Sequence, residues 1–555
     1  MAVSELSAVE PALDAVVGGE DAGSIDVPSL VTSLGRATLG SRRLARAGLG
    51  LSVEAARVAV GGSRVEPARR DFRFDDPTWT ENPGYRRVKQ LYLAWSKVVE
   101  DLVDGADVEW RTRERARFAA GILTSALAPT NTLAGNPAAL KRALETGGGS
   151  LLTGAKQWLG DVIHNGGMPS QVDASVFTVG QNIAVTPGAV VYRSEVMEVL
   201  QYAPTTTEVR ARPLVIIPPQ INKYYFVDLA PGRSLVEHAV GRGLTVFMIS
   251  WRNPSKKHAD WDLDTYARAY LDAVEVAREI TGSDDVVTLG LCAGGITMST
   301  ALSYLAVRGE PKVAAASFAV TLLDWAVPAP IGAFQSSALL WVARRKSRRA
   351  GVLDARSLGS VFTWMRPNDL VWNYWVNNYL MGKKPAAFDI LAWNGDQTNL
   401  PGGLHSQFLD IFEDNLLVAP GGLRVLGEPV DLAAVKIDTY VVGGLSDHLT
   451  PWQGCYRATQ LFGGESTFVL SPTGHIQTPV SPPSSKAHYF TGPEPGPDPH
   501  AWRAAAQRQD GTWWDHWADW MIARAGEERP APKTLGSRRH QVLGPAPGTY
   551  VFQKV

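Results

Sequence analysis

The stretch Val286-Val287-Thr288-Leu289-Gly290-Leu291-Cys292-Ala293-Gly294-Gly295-Ile296-Thr297-Met298 decides the fold. Val286 to Leu291 is a short β-branched run of strand character, and Ile296, Thr297 and Met298 open a helix. Between them stands a nucleophile elbow with cysteine in place of serine. Glycines two before and two after Cys292 permit the crowded strand-to-helix turn that lifts a side chain in an unusual backbone conformation. The amide of Ala293 and the positive end of the following helix then face an oxyanion and favour a negatively charged sulfur. A buried structural cysteine among glycines is the bland alternative, because free cysteine is among the most buried residue types. The strand before and the helix after argue for the elbow. Cys455, in Gln453-Gly454-Cys455-Tyr456, lacks that context and reads as structural.

A cysteine nucleophile needs a base, and the base an orienting acid. Downstream, Asp447 follows the strand candidate Thr439 to Val442, and His475 follows Thr467 to Leu470. The order nucleophile, acid, histidine, with each on a loop after a strand, is that of α/β-hydrolases. His164, His238, His500, His516 and His540 have no such placement. His448, beside Asp447, reads as a hydrogen-bond donor behind the catalytic residues, a substrate contact or a plain turn residue. The loop Pro218-Pro219-Gln220-Ile221-Asn222-Lys223 follows the strand candidate Leu214 to Ile217. It is placed to give a second oxyanion donor from the amide of Ile221 or Asn222, since prolines have none.

Working outward, strand candidates Val190 to Leu200, Leu214 to Ile217, Leu244 to Ile249, Val286 to Leu291, Val313 to Val320, Thr439 to Val442 and Thr467 to Leu470 alternate with helical patterns. Such alternation predicts a parallel sheet wound by right-handed crossovers. It stops from about 325 to 435, a stretch rich in Trp and Asn that reads as a cap insertion. Upstream, Val88, Leu91, Tyr92, Trp95, Val98, Val99 and Leu102 share one helical face. Further helices are expected from Glu114 to Leu127, after the Asn136-Pro137 cap, and from Leu151 to Val162. The expected organisation is a poorly ordered leader over 1–75, a helical N-terminal domain over 76–185, and an α/β-hydrolase catalytic domain over 186–555 carrying the cap.

Composition excludes other classes. Fifty-four Lys+Arg against 55 Asp+Glu give a net charge of -1, without the basic footprint that nucleic acid requires. Two cysteines and an acidic first 25 residues fit a reducing cytosol better than a secreted, disulfide-built protein. Asp324, Pro328, Pro330 and Gln335 break the longest apolar run before a membrane span accumulates. No metal-ligand spacing and no phosphate-cradling loop is present, so no metal or cofactor is expected. The basic run Arg344, Arg345, Lys346, Arg348, Arg349 reads as a solvated face, with attraction of a phosphorylated substrate as its alternative.

Cysteine suits acyl exchange with a thiol carrier, because an acyl group passes from thioester to thiolate with little change in bond energy. Holding that acyl-enzyme for an alcohol acceptor requires that water be kept out. The sequence resembles the polyhydroxyalkanoate synthases in QLYLAW (Gln90 to Trp95), Ala128-Pro129-Thr130-Asn131, Asn136-Pro137, PPQINKYY (Pro218 to Tyr225), SWRNP (Ser250 to Pro254), Gly290 to Gly295, Arg366-Pro367-Asn368-Asp369-Leu370, Asn377-Asn378-Tyr379-Leu380, Asp447-His448 and Gly474-His475. The likeness runs from about residue 80 to the end.

The resemblance implies that Cys292 is acylated, that His475 is the general base, and that Asp447 is its partner or the activator of the substrate's 3-hydroxyl. Substrates would be (R)-3-hydroxyacyl-coenzyme A thioesters, with coenzyme A released and a growing polyester chain. Further expectations from it are a homodimer of the single-subunit type, cytoplasmic and at the surface of a polyester granule. The alternatives are a cysteine-dependent hydrolase similar to the dienelactone hydrolases and an inactive granule-surface scaffold.

Overall fold

The computed structural model describes residues 41–69 and 71–555, which fall into two compact units. The first comprises the described residues up to Ala174 with Pro330–Leu339 and Arg356–Phe388; the second comprises Ser175–Ala329, Leu340–Ala355 and Asp389–Val555.

The first unit is helical: α1 Ser41–Ala59, α2 Pro83–Asp104, α3 Trp110–Ala126, α4 Pro137–Glu145 and α5 Gly149–His164. Two starts follow from the sequence directly. Asn82 caps α2 through the amides of Gly84 and Tyr85, and Asn136 caps α4 through Ala139, each followed by proline at the first helical position. Helix α3 starts four residues before the expected Glu114, because the Glu109 carboxylate accepts the amides of Arg111 and Thr112. Of the leader expected over 1–75, the first 40 residues lie outside the described residues, and the remainder contains α1. Part of the Trp- and Asn-rich insertion belongs to this unit. Trp375 Nε1 donates to the carbonyl of Asn131 at 3.1 Å, and Arg111 Nε to Gln335 Oε1 at 2.8 Å.

The second unit is built on an eleven-stranded sheet. Its strands are β1 Gly188–Arg193, β2 Met197–Tyr202, β3 Leu214–Ile217, β4 Val246–Trp251, β5 Val286–Leu291, β6 Val313–Ala319, β7 Asp438–Gly444, β8 Ser466–Ser471, β9 His488–Thr491, β10 Gln507–Asp510 and β11 Gly544–Pro545. They lie in the order β10-β9-β8-β7-β6-β5-β3-β4-β2-β1-β11. Strands β4, β3, β5, β6, β7 and β8 are mutually parallel. The flanking pairs are antiparallel, so the expected parallel sheet is the centre of a mixed one. The run Val190 to Leu200 is not one strand. It turns at Ser194, whose hydroxyl accepts the amides of Val196 and Met197, and pairs with itself as β1 and β2.

Alternate residues of the central strands face opposite layers. Val215, Ile217, Phe247 and Ile249 pack with α6 Leu263–Thr281 and α7 Ala293–Arg308; Leu214, Ile216, Val246 and Met248 pack with α8 Trp513–Ile522. Trp513, Trp514 and Trp517 of the aromatic tail are therefore core residues, almost wholly buried. The parallel strands β3 and β5 are buried along their whole length, as strands covered on both faces must be.

Candidate active site

The strand order reverses between β3 and β5, so the loops leaving their carboxyl ends diverge and open a crevice. Register aligns those ends: Ile217 pairs with Gly290, Leu291 with Ala319, Ala319 with Val442, and Gly444 with Ser471. The residues that follow, Cys292, Asp447 and His475, thereby leave the sheet at one edge.

Cys292 stands at the start of α7 with φ 48° and ψ -121°, a left-handed conformation that costs a non-glycine residue about 1–3 kcal/mol. Its amide still donates to the carbonyl of Ala319 at 3.0 Å, and its own carbonyl accepts the amide of Gly295. The turn tolerates no side chain nearby. A Cβ on Gly294 would sit 2.4 Å from the carbonyl oxygen of Ile217, and one on Gly290 2.7 Å from Gly295 Cα. Gly295, which the elbow pattern leaves unexplained, faces Thr321, whose Oγ1 would lie 2.2 Å from a Cβ.

His475 Nδ1 lies 2.8 Å from Asp447 Oδ2, and both side chains are buried. The carboxylate is fully engaged. Its Oδ1 accepts the amides of Leu449 and Thr450 at 2.8 and 2.9 Å, and Oδ2 also accepts the Thr450 hydroxyl at 2.7 Å. Burial raises the carboxyl, but the His475 charge and these bonds outweigh it and hold Asp447 below the usual carboxylate range. For His475 burial acts downward. The charges of Asp447 and of the nearby Cys292 sulfur, with the Asp447 hydrogen bond, outweigh it and hold the ring well above the ordinary histidine value. With Nδ1 turned to Asp447, Nε2 is the nitrogen left for the sulfur.

Thr450 escaped the sequence reading, although its spacing after Asp447 is that of a capping turn. Cys455 is buried, with Sγ 3.5 Å from the Thr450 carbonyl; burial first, then Asp447 and Cys292, push its thiol well above the ordinary value. His448 is half-buried on the Asp447 loop.

The two amides proposed from the loop after β3 differ. The Asn222 amide donates to Thr398 Oγ1 at 2.9 Å and is thereby taken up. Ile221 packs, partly buried, in the same apolar cluster as Ile296 on the first turn of α7, and the Ala293 amide begins that helix. Behind the loop, Lys223 Nζ donates to Asp396 Oδ1 at 2.9 Å and to the Val551 carbonyl at 2.6 Å. Tyr225 donates to Asp396 Oδ2 at 3.0 Å. Burial pulls the Lys223 ammonium below the ordinary lysine value, and Asp396 opposes this. PPQINKYY and SWRNP are thus tied to distant chain: Trp393 Nε1 donates to the Lys223 carbonyl, and the Asn399 amide to Asn253 Oδ1. In the basic run Arg344 to Arg349, Arg344 pairs with Asp410 and Glu413, and Arg348 donates to the Ser406 hydroxyl at 3.0 Å.

Among the described residues no group of three His, Cys, Asp or Glu is arranged to hold a metal ion, and no helix is long and apolar enough to cross a membrane. Residues 70–239 match the family described as Poly-beta-hydroxybutyrate polymerase (PhaC) N-terminus, and residues 213–481 match the alpha/beta hydrolase fold. The chain is 46% identical over 503 residues to Poly(3-hydroxyalkanoate) polymerase 1 of Ectopseudomonas oleovorans, covering 90% of both. It is 41% identical over 508 residues to the Poly(3-hydroxyalkanoate) polymerase subunit PhaC of Cupriavidus necator, covering 90% of this chain and 85% of that one. With the polymerase of Methylorubrum extorquens it shares 38% over 503 residues, 89% and 83% of the two chains. An α/β-hydrolase sheet bearing a cysteine elbow, preceded by a helical region and related along nine-tenths of its length to these enzymes, places the chain in the poly(3-hydroxyalkanoate) polymerase family of acyltransferases.

Proposed function

We propose that the chain polymerises (R)-3-hydroxyacyl-coenzyme A thioesters through an acyl group carried on Cys292. The observation that carries this reading is the geometry of Cys292, His475 and Asp447: a strained cysteine at a helix start, leaving the same sheet edge as an imidazole that is hydrogen-bonded at 2.8 Å to a buried carboxylate. The sulfur attacks the thioester carbonyl while its proton rests on His475 Nε2. The C–S bond of the substrate then breaks, and that proton leaves with the coenzyme A thiol. In the second half, His475 takes the proton of a 3-hydroxyl, the oxygen attacks the acyl-cysteine, and an oxoester forms as the sulfur is released.

Asp447 acts in this scheme through His475 and not on the substrate hydroxyl. Its carboxylate is enclosed and accepts four hydrogen bonds, which supports orientation as its role. The Ala293 amide at the helix start and the Ile221 amide are the proposed oxyanion donors. His448 is kept as a donor beside the site or a substrate contact.

Homodimer formation and granule association belong to this reading through family resemblance. One surface fits the second. On α5, Leu152, Trp158, Leu159, Val162 and Ile163 form an exposed apolar face, with Leu152 71% and Ile163 63% accessible. A face of that kind matches an apolar polymer surface.

The test is coenzyme A release from (R)-3-hydroxybutyryl-coenzyme A and longer homologues by wild type and Cys292→Ala, with recovery of the product. Insoluble polyester from wild type alone is the expected result. Free hydroxy acid would replace the reading with hydrolysis, and no release from any thioester with an inactive scaffold.

A further inference from the structure

The loop that offers the Ile221 amide lies beyond the backbone ladder of the sheet. The ladder of β3 ends at Ile217, opposite Gly290, and two prolines follow without amides to donate. Asn222 adopts φ +68°, a left-handed conformation that asparagine reaches more readily than other non-glycine residues. The loop is held there by Thr398. Its hydroxyl accepts the Asn222 amide at 2.9 Å and donates to the Gln220 carbonyl at 3.3 Å, so one oxygen brackets Ile221 from both sides. Thr398 is buried.

The Gln220 carbonyl and the Ile221 amide belong to one peptide unit. In a planar trans peptide the C=O and N–H point in opposite directions. Pinning the carbonyl on Thr398 therefore turns the Ile221 N–H away from Thr398. The loop is also attached to β4, where Trp251 Nε1 donates to the Pro218 carbonyl at 2.9 Å, and to the first turns of α7: Gln220 Nε2 donates to Thr297 Oγ1 at 3.0 Å, and the Pro218 carbonyl would touch a Cβ on Gly294. Two residues before Thr398, Asp396 receives Lys223 and Tyr225 from the loop's far end. Lys223 is 4% exposed and also holds the Val551 carbonyl, so the chain terminus braces the same clamp.

We infer that Thr398 is a positioning residue for catalysis: its hydroxyl fixes the Gln220–Ile221 peptide so that the Ile221 amide serves as the second oxyanion donor, with the Lys223–Asp396 pair docking Thr398 against the loop. The inference rests on acyl transfer at Cys292, and the experiment separates the two. Thioester attack develops an oxyanion, whereas alkylation of the same sulfur by iodoacetamide does not. The rates of Cys292 acylation by (R)-3-hydroxybutyryl-coenzyme A and of its alkylation are measured for wild type, Thr398→Val, Thr398→Ser and Asp396→Asn.

Thr398→Val is expected to slow acylation about 10- to 100-fold, less than outright removal of a donor. Alkylation and KM should hold within about 2-fold, and Thr398→Ser should recover most of the rate. Asp396→Asn should lower the acylation-to-alkylation ratio in the same direction, and it decides the matter if Thr398→Val does not fold. Equal losses in both reactions, or no loss in acylation, overturn the role of Thr398. Absence of Cys292 acylation in wild type overturns the proposed function itself.

Discussion

Asp447 Oδ2 sits 2.8 Å from His475 Nδ1 and 2.7 Å from the Thr450 hydroxyl, while Oδ1 takes two amides of its own turn. The carboxylate that bonds His475 is itself held by Leu449 and Thr450, the residues that follow it.

Asp447→Asn removes the charge that holds His475 protonated against its burial, and places an amide where Nδ1–H needs an acceptor. Turnover should fall by about 10²- to 10⁴-fold, the range of general acid–base catalysis. Labelling of Cys292 by a reactive acyl analogue, followed by mass spectrometry, should persist. Equal loss of labelling and turnover would make Asp447 a folding residue.

Two cysteines lie within electrostatic reach of each other, yet burial and the Asp447 charge keep the Cys455 thiol protonated. Cys292→Ala should abolish acylation, whereas Cys455→Ala should leave activity within about 3-fold and cost about 1 kcal/mol or less for the lost sulfur packing. The opposite pattern in an acylation assay would reassign the nucleophile.

Asp228 is buried among Thr186, Ser234 and Tyr202, and burial lifts its carboxyl to about 6 despite their hydrogen bonds. An acid raised in the folded state binds its proton more tightly there than in the unfolded chain. Stability is therefore lost as pH climbs from the unfolded value, about 3.9, through 6. The shift corresponds to about 3 kcal/mol. Denaturant unfolding of wild type and Asp228→Asn from pH 3.5 to 8 should show wild type losing ground between pH 4 and 6 and a constant difference above 7. A difference that does not vary with pH would refute it.

Gly294→Ala would drive a methyl onto the carbonyls of Ile217 and Pro218, which are backbone and cannot swing aside. Overpacking of this kind costs about 1–3 kcal/mol. Relief by shifting the loop or α7 should lower turnover at least about 10-fold. Thermal melts and coenzyme A release on the same preparation check both.

For the apolar face of α5, Leu159→Glu combined with Ile163→Glu should reduce the fraction of protein sedimenting with polymer several-fold, with initial coenzyme A release unchanged. Undiminished sedimentation would exclude this face as the polymer contact.

The elbow, the positions of Asp447 and His475, and the strand-and-helix alternation were legible because each rests on local chemistry. Glycines flank a strained cysteine, β-branched runs form buried strands, and polar residues follow strand ends. The helix start at Asn136 was equally local, a cap followed by proline, and the same pattern at Asn82 and Pro83 went unread. Hidden from the sequence was everything set by pairing across long separations. Val190 to Leu200 carries little sign that it folds on itself, because both arms are rich in valine and the turn uses no glycine or proline, only Ser194, whose hydroxyl and amide both bond the chain that follows. The insertion after residue 325 reads as one block, yet contacts such as Trp375 with Asn131 assign part of it to the helical unit.

Sequence alone thus determined which residues are candidates for nucleophile, acid and base, since they are residue types in a recognisable order after strand ends. Tertiary structure decided how they are held. Register brings three strand ends to one edge, and Thr450, Thr398, Lys223 and Asp396 act through hydrogen bonds whose partners lie as far as 328 residues away. A hydrogen bond depends on a few tenths of an ångström and on direction, and neither quantity is written in the spacing of residues along a chain.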